Sequence, residues 1–297
     1  MRVVLPVGSS DSRASWLEGG NMSKTIFVLL DGLSFDAAAQ NMGYAEHLIE
    51  SQKGAKYKVR GELPSLSRPM YETLLTGRKA FEHGITNNMA VWRSSEKSVF
   101  DQCYAQGRTT GAAAYHWISE LYRSAPFDYE TDRMIFDEDS AVSHGIFYFE
   151  DSYPDSHVFA DAEYIRSSRN PDFLMIHSMN VDDAGHHFGS DSTEYHMAAA
   201  RVNTILSSVM PVWLAKGYSV LVTADHGMNI HKLHGGNTSS QRDVALYLFS
   251  EGIQCGDFSE GGAISQLCIA PLLCRLLDVA PAPGMRELSS LGVDFFG

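Results

Sequence analysis

The segment Thr25-Ile-Phe-Val-Leu-Leu-Asp31-Gly32 indicates how this chain folds. Its six residues before the aspartate are apolar or β-branched, which predicts a strand buried on both faces, as in the interior of a parallel sheet. The strand runs directly into an acidic residue and a glycine. In open α/β sheets, reactive side chains gather where strands end and loops begin. Asp31 is therefore the first candidate functional residue.

Similar apolar runs recur along the chain and alternate with helix-like segments. Further strands are predicted at 109–115, 173–179, 219–223 and 244–249. Helices are predicted from the end of the first strand to about residue 51, and at 69–76, 192–213 and 264–277. This alternation predicts an α/β fold with a mostly parallel central sheet and helices on both faces.

The 297 residues contain no internal repeat and no linker rich in proline, glycine and serine, so we predict a single domain over residues 22–297. Residues 1–21 lack the run of roughly 7–15 apolar residues that a secretory signal needs, and we expect a disordered extension or an upstream start there. The stretch 118–160 is aromatic, acidic and irregular, and it could form a cap inserted over the site.

Composition narrows the class of protein. Hydrophobic residues make up 44% and charged residues 20%, and no apolar run approaches the ~20 residues that span a bilayer. A net charge of −13 argues against a nucleic-acid polymer as partner, although bound cations would still let an acidic protein hold a phosphate ester. With four scattered cysteines and no signal segment, we expect a cytoplasmic protein without a membrane partner.

Acidic residues and histidines follow two more of the predicted strands. They are Asp182, Asp183, His186 and His187 after the strand at 173–179, and Asp225, His226 and His234 after the strand at 219–223. Carboxylate oxygen and imidazole nitrogen are ligands of zinc-like ions, so these strand ends predict a metal site. Asp182/His186 and Asp183/His187 are both spaced four apart, and spacing alone leaves the choice between the pairs open.

A loop with two serines, Leu63-Pro-Ser65-Leu-Ser67-Arg-Pro69, is predicted to enter a helix at Pro69. Backbone N–H groups and the helix dipole favour negative charge at such a position. A serine hydroxyl there could simply cap the helix. Beside a metal site, coordination would instead activate the hydroxyl as a nucleophile.

Six segments, taken together and in this order, resemble the nucleotide pyrophosphatase/phosphodiesterase branch of the alkaline phosphatase superfamily. They are Leu30-Asp-Gly32, Pro64-Ser-Leu-Ser-Arg-Pro69 through Leu75-Thr-Gly77, His83-Gly-Ile-Thr-Asn-Asn88, Asp182-Asp-Ala-Gly-His186, Thr223-Ala-Asp-His-Gly-Met228 and His234-Gly-Gly236. The segment 269–278 also resembles the C-terminal helix of the superfamily. The resemblance covers most of residues 25–280 and implies an alkaline phosphatase-like fold.

The resemblance also implies roles for individual residues. The family pattern Asp-x-x-Gly-His selects Asp182 and His186, with His234, as ligands of one divalent ion. A second ion would be held by Asp31, Asp225, His226 and the hydroxyl of Ser67. The ions would be Zn²⁺, with Mn²⁺ as the alternative. Ser67 would be the nucleophile, and Asn88 would donate a hydrogen bond to a phosphate oxygen.

The implied reaction is hydrolysis of a small phosphate ester through a covalent phosphoserine, with phosphodiester or pyrophosphate bonds favoured. A phosphomonoesterase, a phosphonate C–P hydrolase or a phosphomutase using the same site is the alternative. A non-catalytic metal- or nucleotide-binding protein is disfavoured, because every ligand position and the nucleophile position are filled. A sulfatase is disfavoured as well, because Tyr71 stands where its motif carries arginine.

Two features of the chain concern the substrate pocket. The family nucleophile is usually a threonine followed by Phe-Pro-Asn, whereas Ser67 is followed by Arg68, Pro69 and Met70. Arg68 could contact a charged group of the substrate, or it could be a solvated arginine at the start of a helix. Tyr115 and His116 follow a predicted strand where related enzymes place pocket aromatics, and such a cluster could equally belong to the core.

Overall fold

A ten-stranded sheet forms the centre of the protein. The computed structural model describes residues 23–297, and the extension predicted at 1–21 lies outside the described residues. The strands are β1 (Lys24–Leu30), β2 (Ala55–Arg60), β3 (Thr110–Tyr115), β4 (Met134–Phe136), β5 (His144–Tyr148), β6 (Phe173–Ser178), β7 (Tyr218–Thr223), β8 (Asp243–Phe249), β9 (Gly256–Asp257) and β10 (Ile264–Ser265).

The strand order is β10-β2-β8-β7-β1-β6-β3-β5-β4, and β9 pairs with β2. The central run from β7 through β1, β6 and β3 to β5 is entirely parallel. Antiparallel pairs join β7 to β8, β8 to β2 and β5 to β4. The prediction of an α/β fold with a mostly parallel sheet is confirmed, and the observed sheet is mixed towards its edges.

Helices cover both faces of this sheet. They are α1 (Phe35–Asn41), α2 (Gly43–Glu50), α3 (Ser67–Thr76), α4 (Ala80–His83), α5 (Val99–Ala105), α6 (His116–Tyr122), α7 (Asp155–Arg169), α8 (Asn180–Phe188), α9 (Thr193–Ala215), α10 (Ser239–Arg242) and α11 (Ile269–Leu276). The Ser192 side chain caps α9 by accepting from Tyr195 N, and α3 ends at Gly77 with φ +64°, which glycine adopts without strain. Among the described residues, no helix is long and apolar enough to cross a bilayer.

The position of β1 explains its uninterrupted apolar sequence. Residues 26–30 are fully buried, because β6 and β7 flank the strand and helices cover the sheet. Leu30 pairs with Ser178 of β6, and Leu29 pairs with Thr223 of β7. Because these three parallel strands end at the same edge, the residues that follow them are brought together there.

Two segments differ from the sequence-based prediction. The helix predicted at 264–277 begins only at Ile269, because residues 264–265 form β10 and pair with β2, a strand that the sequence did not reveal. The stretch 118–160, predicted as a cap, contains β4 and β5, which extend the sheet beyond β3. These two strands of the stretch therefore belong to the central sheet, and the cap stays a prediction for the residues around them.

Candidate active site

The residues after β1, β6 and β7 meet at one edge of the sheet. Asp31 follows β1, α8 follows β6, and Asp225 and His226 follow β7. Gly32 permits this approach, because a Cβ at that position would come within 2.7 Å of Asp182 Oδ1. Its N–H donates to Asp225 Oδ1 at 3.2 Å and so ties two of the strand ends together.

Asp182, His186 and His234 form the first group able to hold a metal ion. His186 Nε2 lies 3.3 Å from Asp182 Oδ2 and 3.1 Å from His234 Nε2. The resemblance had selected Asp182 and His186, and the structure brings both to His234. The other pair of the same spacing lies apart from this group: His187 is exposed and contacts only Asp183 among the acidic residues of α8.

The second group consists of Asp31, Asp182 and His226, all of them buried. His226 Nε2 lies 3.5 Å from Asp31 Oδ1 and 3.1 Å from Asp225 Oδ2. The same nitrogen lies 3.1 Å from Ser67 Oγ. Asp182 belongs to both groups, so it lies between the two predicted ion sites, whereas the family pattern had assigned it to one.

The oxygen atoms at this edge are those that a cation would satisfy. Asp31 Oδ1, Asp182 Oδ1 and Asp225 Oδ2 are buried and accept no hydrogen bond from any described residue. Burying carboxylate oxygens in this way is costly, because they have lost their hydrogen bonds to water and have gained none in exchange. The donor set of carboxylates and imidazoles suits zinc-type ions, so these residues fit the predicted metals.

The pKa values of the acids point the same way. Burial, followed by the negative charge of Asp31, raises the pKa of both Asp182 and Asp225. Burial also acts to raise the pKa of Asp31, but the hydrogen bond from His177 and the neighbouring imidazoles outweigh it and lower the pKa to about 2. Without a cation, burial and the negative charge of Asp31 therefore favour proton uptake by Asp182 and Asp225.

The two histidines of the first group, His186 and His234, have pKa values that are shifted in opposite directions. The hydrogen bond to Asp182 raises the pKa of His186 to about 9, whereas burial lowers the pKa of His234 to about 4. Without a metal ion, the raised pKa favours a protonated His186, and this proton would have to leave before the imidazole could bind an ion. Metal binding at such a group releases protons and depends on pH.

Sequence reasoning missed two residues that hold Asp31. His177 in β6 lies with Nε2 3.1 Å from Asp31 Oδ2, and the Tyr71 hydroxyl of α3 donates to the same oxygen. Both are fully buried, and together they engage Oδ2 while Oδ1 stays without a partner. Such contacts orient a metal ligand. The available signal was a histidine inside an otherwise apolar strand.

Ser67 is the first residue of α3, two residues earlier than the predicted start at Pro69. The N-cap is Leu66, which has no side-chain acceptor, so the hydroxyl of Ser67 does not cap the helix. It lies against His226 instead. Ser65 makes different contacts, since its Oγ donates to Gly236 O at 2.8 Å and its carbonyl lies 3.0 Å from His234 Nδ1.

Asn88 lies beside the start of α3. Its Oδ1 accepts from the N–H of Arg68 at 3.1 Å. Because a backbone N–H can only donate, the side-chain atom facing it must be the oxygen. The amide nitrogen of Asn88 is then the group available to donate elsewhere.

The prediction that Arg68 contacts substrate is wrong, and so is the alternative of a solvated arginine. Its side chain is only 1% exposed, and Nη2 pairs with Glu120 Oε2 at 2.6 Å. Nη1 donates to Ala90 O at 3.0 Å, and the guanidinium lies over the Trp117 ring, 4.5 Å from its centre. The charge of Arg68 is therefore neutralised inside the protein.

Tyr115 and His116 join an aromatic row, which we define as Tyr115, His116, Trp117, Phe127, Phe149 and Tyr129. Neighbouring ring centres in the row lie 4.5 to 6.2 Å apart. Trp117 contacts Tyr71, the residue that donates to Asp31. The inner end, Tyr115, is buried, whereas Phe149 and Tyr129 are exposed. The row thus runs from the acidic cluster to the surface.

Comparison with known proteins adds to this geometry. The sequence profile described as type I phosphodiesterase / nucleotide pyrophosphatase matches residues 25–235. The catalytic subunit of GPI ethanolamine phosphate transferase 3 from Mus musculus is 23% identical over 98% of this chain and 28% of its own length. The catalytic subunit of the Homo sapiens GPI ethanolamine phosphate transferase 2 is 22% identical over 94% of this chain and 29% of its own length. The chain thus spans less than a third of these relatives.

Solved structures share the fold. Murine ectonucleotide pyrophosphatase/phosphodiesterase 5 matches with a TM-score of 0.72 and 14% identity over 90% of this chain and 98% of that one. The human protein of the same name matches with a TM-score of 0.68 and 15% identity over 88% and 96% of the two chains. The predicted alkaline phosphatase-like fold is confirmed.

Proposed function

This chain belongs to the type I phosphodiesterase / nucleotide pyrophosphatase family of the alkaline phosphatase superfamily, and we propose that it is a metal-dependent hydrolase of small phosphate esters. The bond cleaved is a phosphodiester or pyrophosphate bond, with Ser67 as nucleophile. One observation carries the proposal: Ser67 Oγ lies 3.1 Å from His226 Nε2, beside acids whose oxygens lack partners among the described residues. A hydroxyl in such surroundings is suited to attack phosphorus.

Two divalent ions, Zn²⁺ or Mn²⁺, would be held by side chains of the acidic cluster, in the two sets that the family resemblance implies. The ligands are Asp182, His186 and His234 for one ion, and Asp31, Asp225, His226 and Ser67 for the other. When bound, such ions stabilise the negative charge that develops on phosphate oxygens. Asp182 belongs to both groups of candidate ligands, so it would be available to either ion.

The chain's own residues carry the remaining steps. Ser67 Oγ attacks phosphorus, the bond from phosphorus to the first alcohol or phosphate breaks, and the hydroxyl proton leaves with that group, so that Ser67 carries the phosphoryl group with its remaining ester. The N–H groups and the dipole at the start of α3 favour negative charge at this point. Asn88 donates from its amide nitrogen to a non-bridging oxygen, because its own oxygen is already engaged by Arg68 N. Water then attacks the same phosphorus, the bond to Ser67 Oγ breaks, and a proton from water restores the hydroxyl while the remaining phosphate ester is released.

The surroundings of Arg68 favour diesters over monoesters. A monoester carries one more negative charge than a diester, and its pocket needs extra positive charge. Arg68 was the residue that could have supplied this charge, but its guanidinium is buried against Glu120. The phosphomonoesterase alternative therefore loses its main support, while the phosphonate hydrolase stays an alternative that uses the same nucleophile.

A second candidate is transfer of the phosphoryl group, together with its alcohol, to an acceptor hydroxyl instead of water. The relatives named as ethanolamine phosphate transferases align over 94–98% of this chain, which favours this candidate. The aromatic row adds support, because Tyr115 lies next to His116, and burial together with the nearby carboxylate of Asp151 raises the pKa of Tyr115. Aromatic faces beside a carboxylate suit an ammonium group, such as that of an amino alcohol.

A substrate screen tests the first proposal. We expect the protein loaded with Zn²⁺ or Mn²⁺ to cleave chromogenic phosphodiesters faster than monoesters, phosphonates or sulfate esters. The matched control is Ser67→Ala, which should lack activity on every substrate. Faster turnover of a monoester or a phosphonate would favour the corresponding alternative, and activity of the control would contradict the proposed nucleophile.

An acceptor experiment separates hydrolysis from transfer. A diester is turned over in the presence of increasing ethanolamine or glycerol, and products are identified by mass spectrometry. A hydrolase gives the water-derived product at all but high acceptor concentration. A transferase gives mainly the new diester at millimolar acceptor concentration. This result would show that the acceptor hydroxyl, and not water, is the second nucleophile.

A further inference from the structure

We propose that Arg68 and Glu120 are positioning residues that hold Asn88 at the start of α3, where it can meet a phosphate bound at Ser67. The inference rests on the proposed function, since it concerns how that site is held. Among the described residues, neither side chain forms a hydrogen bond or ion pair with the acidic cluster: the Arg68 guanidinium is buried against Glu120 of α6 and the carbonyl of Ala90.

Arg68 binds the segment of Asn88 in two ways. Its main-chain N–H donates to Asn88 Oδ1 at 3.1 Å, and its guanidinium donates to the carbonyl of Ala90 at 3.0 Å. One residue thus fixes both the side chain of Asn88 and the backbone two positions later. Because Arg68 directly follows Ser67, the nucleophile and the phosphate donor are tied together.

The loop around Asn88 has few other attachments. Met89 is 82% exposed, and the hydrogen bonds of Met89 N and Ala90 N both go to Asn87 in the same loop. Ala90 itself is buried, which places its carbonyl within reach of Arg68. Loss of the guanidinium would therefore free the loop without opening the core.

Glu120 keeps the guanidinium in this orientation. One carboxylate oxygen accepts from Arg68 Nη2 at 2.6 Å, and the other accepts from Phe127 N at 3.0 Å. The Trp117 ring covers the planar face of the guanidinium. A planar group with several fixed donors holds such a geometry better than the single ammonium of lysine.

Stability alone does not account for this ion pair. Burying two charges carries a desolvation cost that their attraction often fails to exceed, and apolar replacements of buried pairs are frequently neutral or stabilising. If Arg68 acts on chemistry through Asn88, the cost of its loss should be seen in turnover, even in a variant that folds normally.

The experiment is a double-mutant cycle with Arg68→Met and Asn88→Ala in the metal-loaded protein. Misplacing a group by about 1 Å can cost ~10²-fold in rate, so we expect either single change to lower kcat by roughly 10- to 100-fold. We expect the double variant to be no slower than Asn88→Ala alone, because the two residues act as one unit. Losses that multiply in the double variant would overturn the proposal.

Controls separate positioning from a general loss of structure. Metal content should stay near wild type in Arg68→Met. Its melting temperature should fall, because Glu120 is left buried without its partner, so turnover is compared at a temperature at which every variant is folded. Arg68→Lys should recover part of kcat. Arg78, which pairs with Glu96 at 2.9 Å beyond the end of α3, provides a matched control, and Arg78→Met should leave kcat unchanged. If Arg68→Met fails to fold, Glu120→Gln takes its place in the cycle.

A measurement without turnover keeps the two proposals distinct. Calorimetry with inorganic phosphate as the probe should show weaker binding in Arg68→Met, again with no further loss in the double variant. If the wild-type protein is active but the losses of kcat in the two single variants multiply in the double variant, only the positioning role is contradicted. Wild-type protein that forms no phosphoserine and turns over no ester contradicts the proposed function and removes this inference with it.

Discussion

At the scale of single residues, Ser67 and Ser65 have the same side chain but make different contacts, because they lie at different positions relative to the acidic cluster. Both hydroxyls lie in one loop, yet Ser67 Oγ contacts His226 and Ser65 Oγ donates to the carbonyl of Gly236. The helix is capped at Leu66, so neither hydroxyl is spent on the helix end. Only Ser67 can therefore approach a substrate held at the acidic cluster.

Ser67→Ala should reduce turnover by several orders of magnitude and cost little stability. The change removes the attacking oxygen but no cap, whose loss would cost about 1 kcal/mol. Ser67→Thr should retain substantial activity because it keeps the hydroxyl, and Ser65→Ala should leave chemistry largely intact. Acid quenching followed by mass spectrometry should find phosphate on Ser67. Phosphate on Ser65, or fast turnover of Ser67→Ala, would show that the nucleophile is misassigned.

The two Asp/His pairs of α8 give a second prediction at this scale. His186→Ala should lower the metal content by about one ion per chain, because its side chain meets Asp182 and His234, and Asp182→Ala should lower it by at least one, because Asp182 belongs to both groups. Asp183→Ala and His187→Ala are the matched controls, with the same residue types at the same spacing on the exposed side of the helix. Elemental analysis of purified variants makes the comparison. If only the two control variants lost metal, the ligands would be Asp183 and His187 instead of Asp182 and His186.

At the scale of elements, the sequence predicts five of the six strands that have six or more residues, and it misses β2 and the shorter strands β4, β5, β9 and β10. β1, β3, β6, β7 and β8 lie within one residue of their predicted bounds. β2 was missed because Lys56 and Lys58 interrupt it. Lys56 is nevertheless buried, with Nζ 2.7 Å from Glu46 Oε1, a partner that no local pattern reveals. β10 was missed with it, since β2 is its only partner in the described sheet.

The residues of the candidate site also fall into those that the sequence identified and those that it did not. The metal-ligand candidates and Ser67 stand in short motifs, so the resemblance could select them. The sequence could not select His177, Tyr71 and Glu120. The role of each depends on a contact with a residue that is distant in sequence, which is Asp31 for the first two and Arg68 for Glu120. Arg68 was misjudged for this reason: the carboxylate that neutralises it belongs to α6.

The interior of α3 carries a prediction on pH. Glu72 is buried, and burial raises its pKa to about 7 although Ser94 and Tyr122 both donate to it. The folded protein thus binds this proton more tightly than the unfolded chain, whose glutamate has a pKa near 4.5. Stability from this group is present at acid pH and falls as pH rises from about 4.5 to about 7.

Glu72→Gln should remove this dependence. We expect the variant to gain stability relative to wild type between pH 5 and pH 8, by up to about 1.4 kcal/mol per pH unit within the titration range. Urea unfolding of both proteins at several pH values gives the difference, and it cancels the titration of the metal ligands that both share. A difference that stays constant across this range would mean that Glu72 is ionised throughout in the folded protein.

At the scale of the whole molecule, charge and metal binding belong together. The chain carries a net charge of −13, and three buried carboxylates with unpartnered oxygens converge at one edge of its sheet. Neutralising them locally would relieve repulsion that the fold otherwise has to bear. The ions proposed for catalysis should therefore also contribute to the stability of the native state.

Removal of metal tests both effects in one protein. Chelation should abolish activity, and Zn²⁺ or Mn²⁺ should restore it. Since an ion that binds only the folded state stabilises it by mass action, free metal at 100 times its dissociation constant should add about 2.7 kcal/mol per site and raise the melting temperature. In Asp182→Ala the metal-dependent rise should be much smaller, because Asp182 adjoins both groups. Active protein that elemental analysis finds free of transition metal would contradict the two-ion site. A melting temperature unaffected by metal in wild type would instead show that the acidic cluster is satisfied in another way, by protons on the carboxyl groups of Asp182 and Asp225, whose pKa values are already raised.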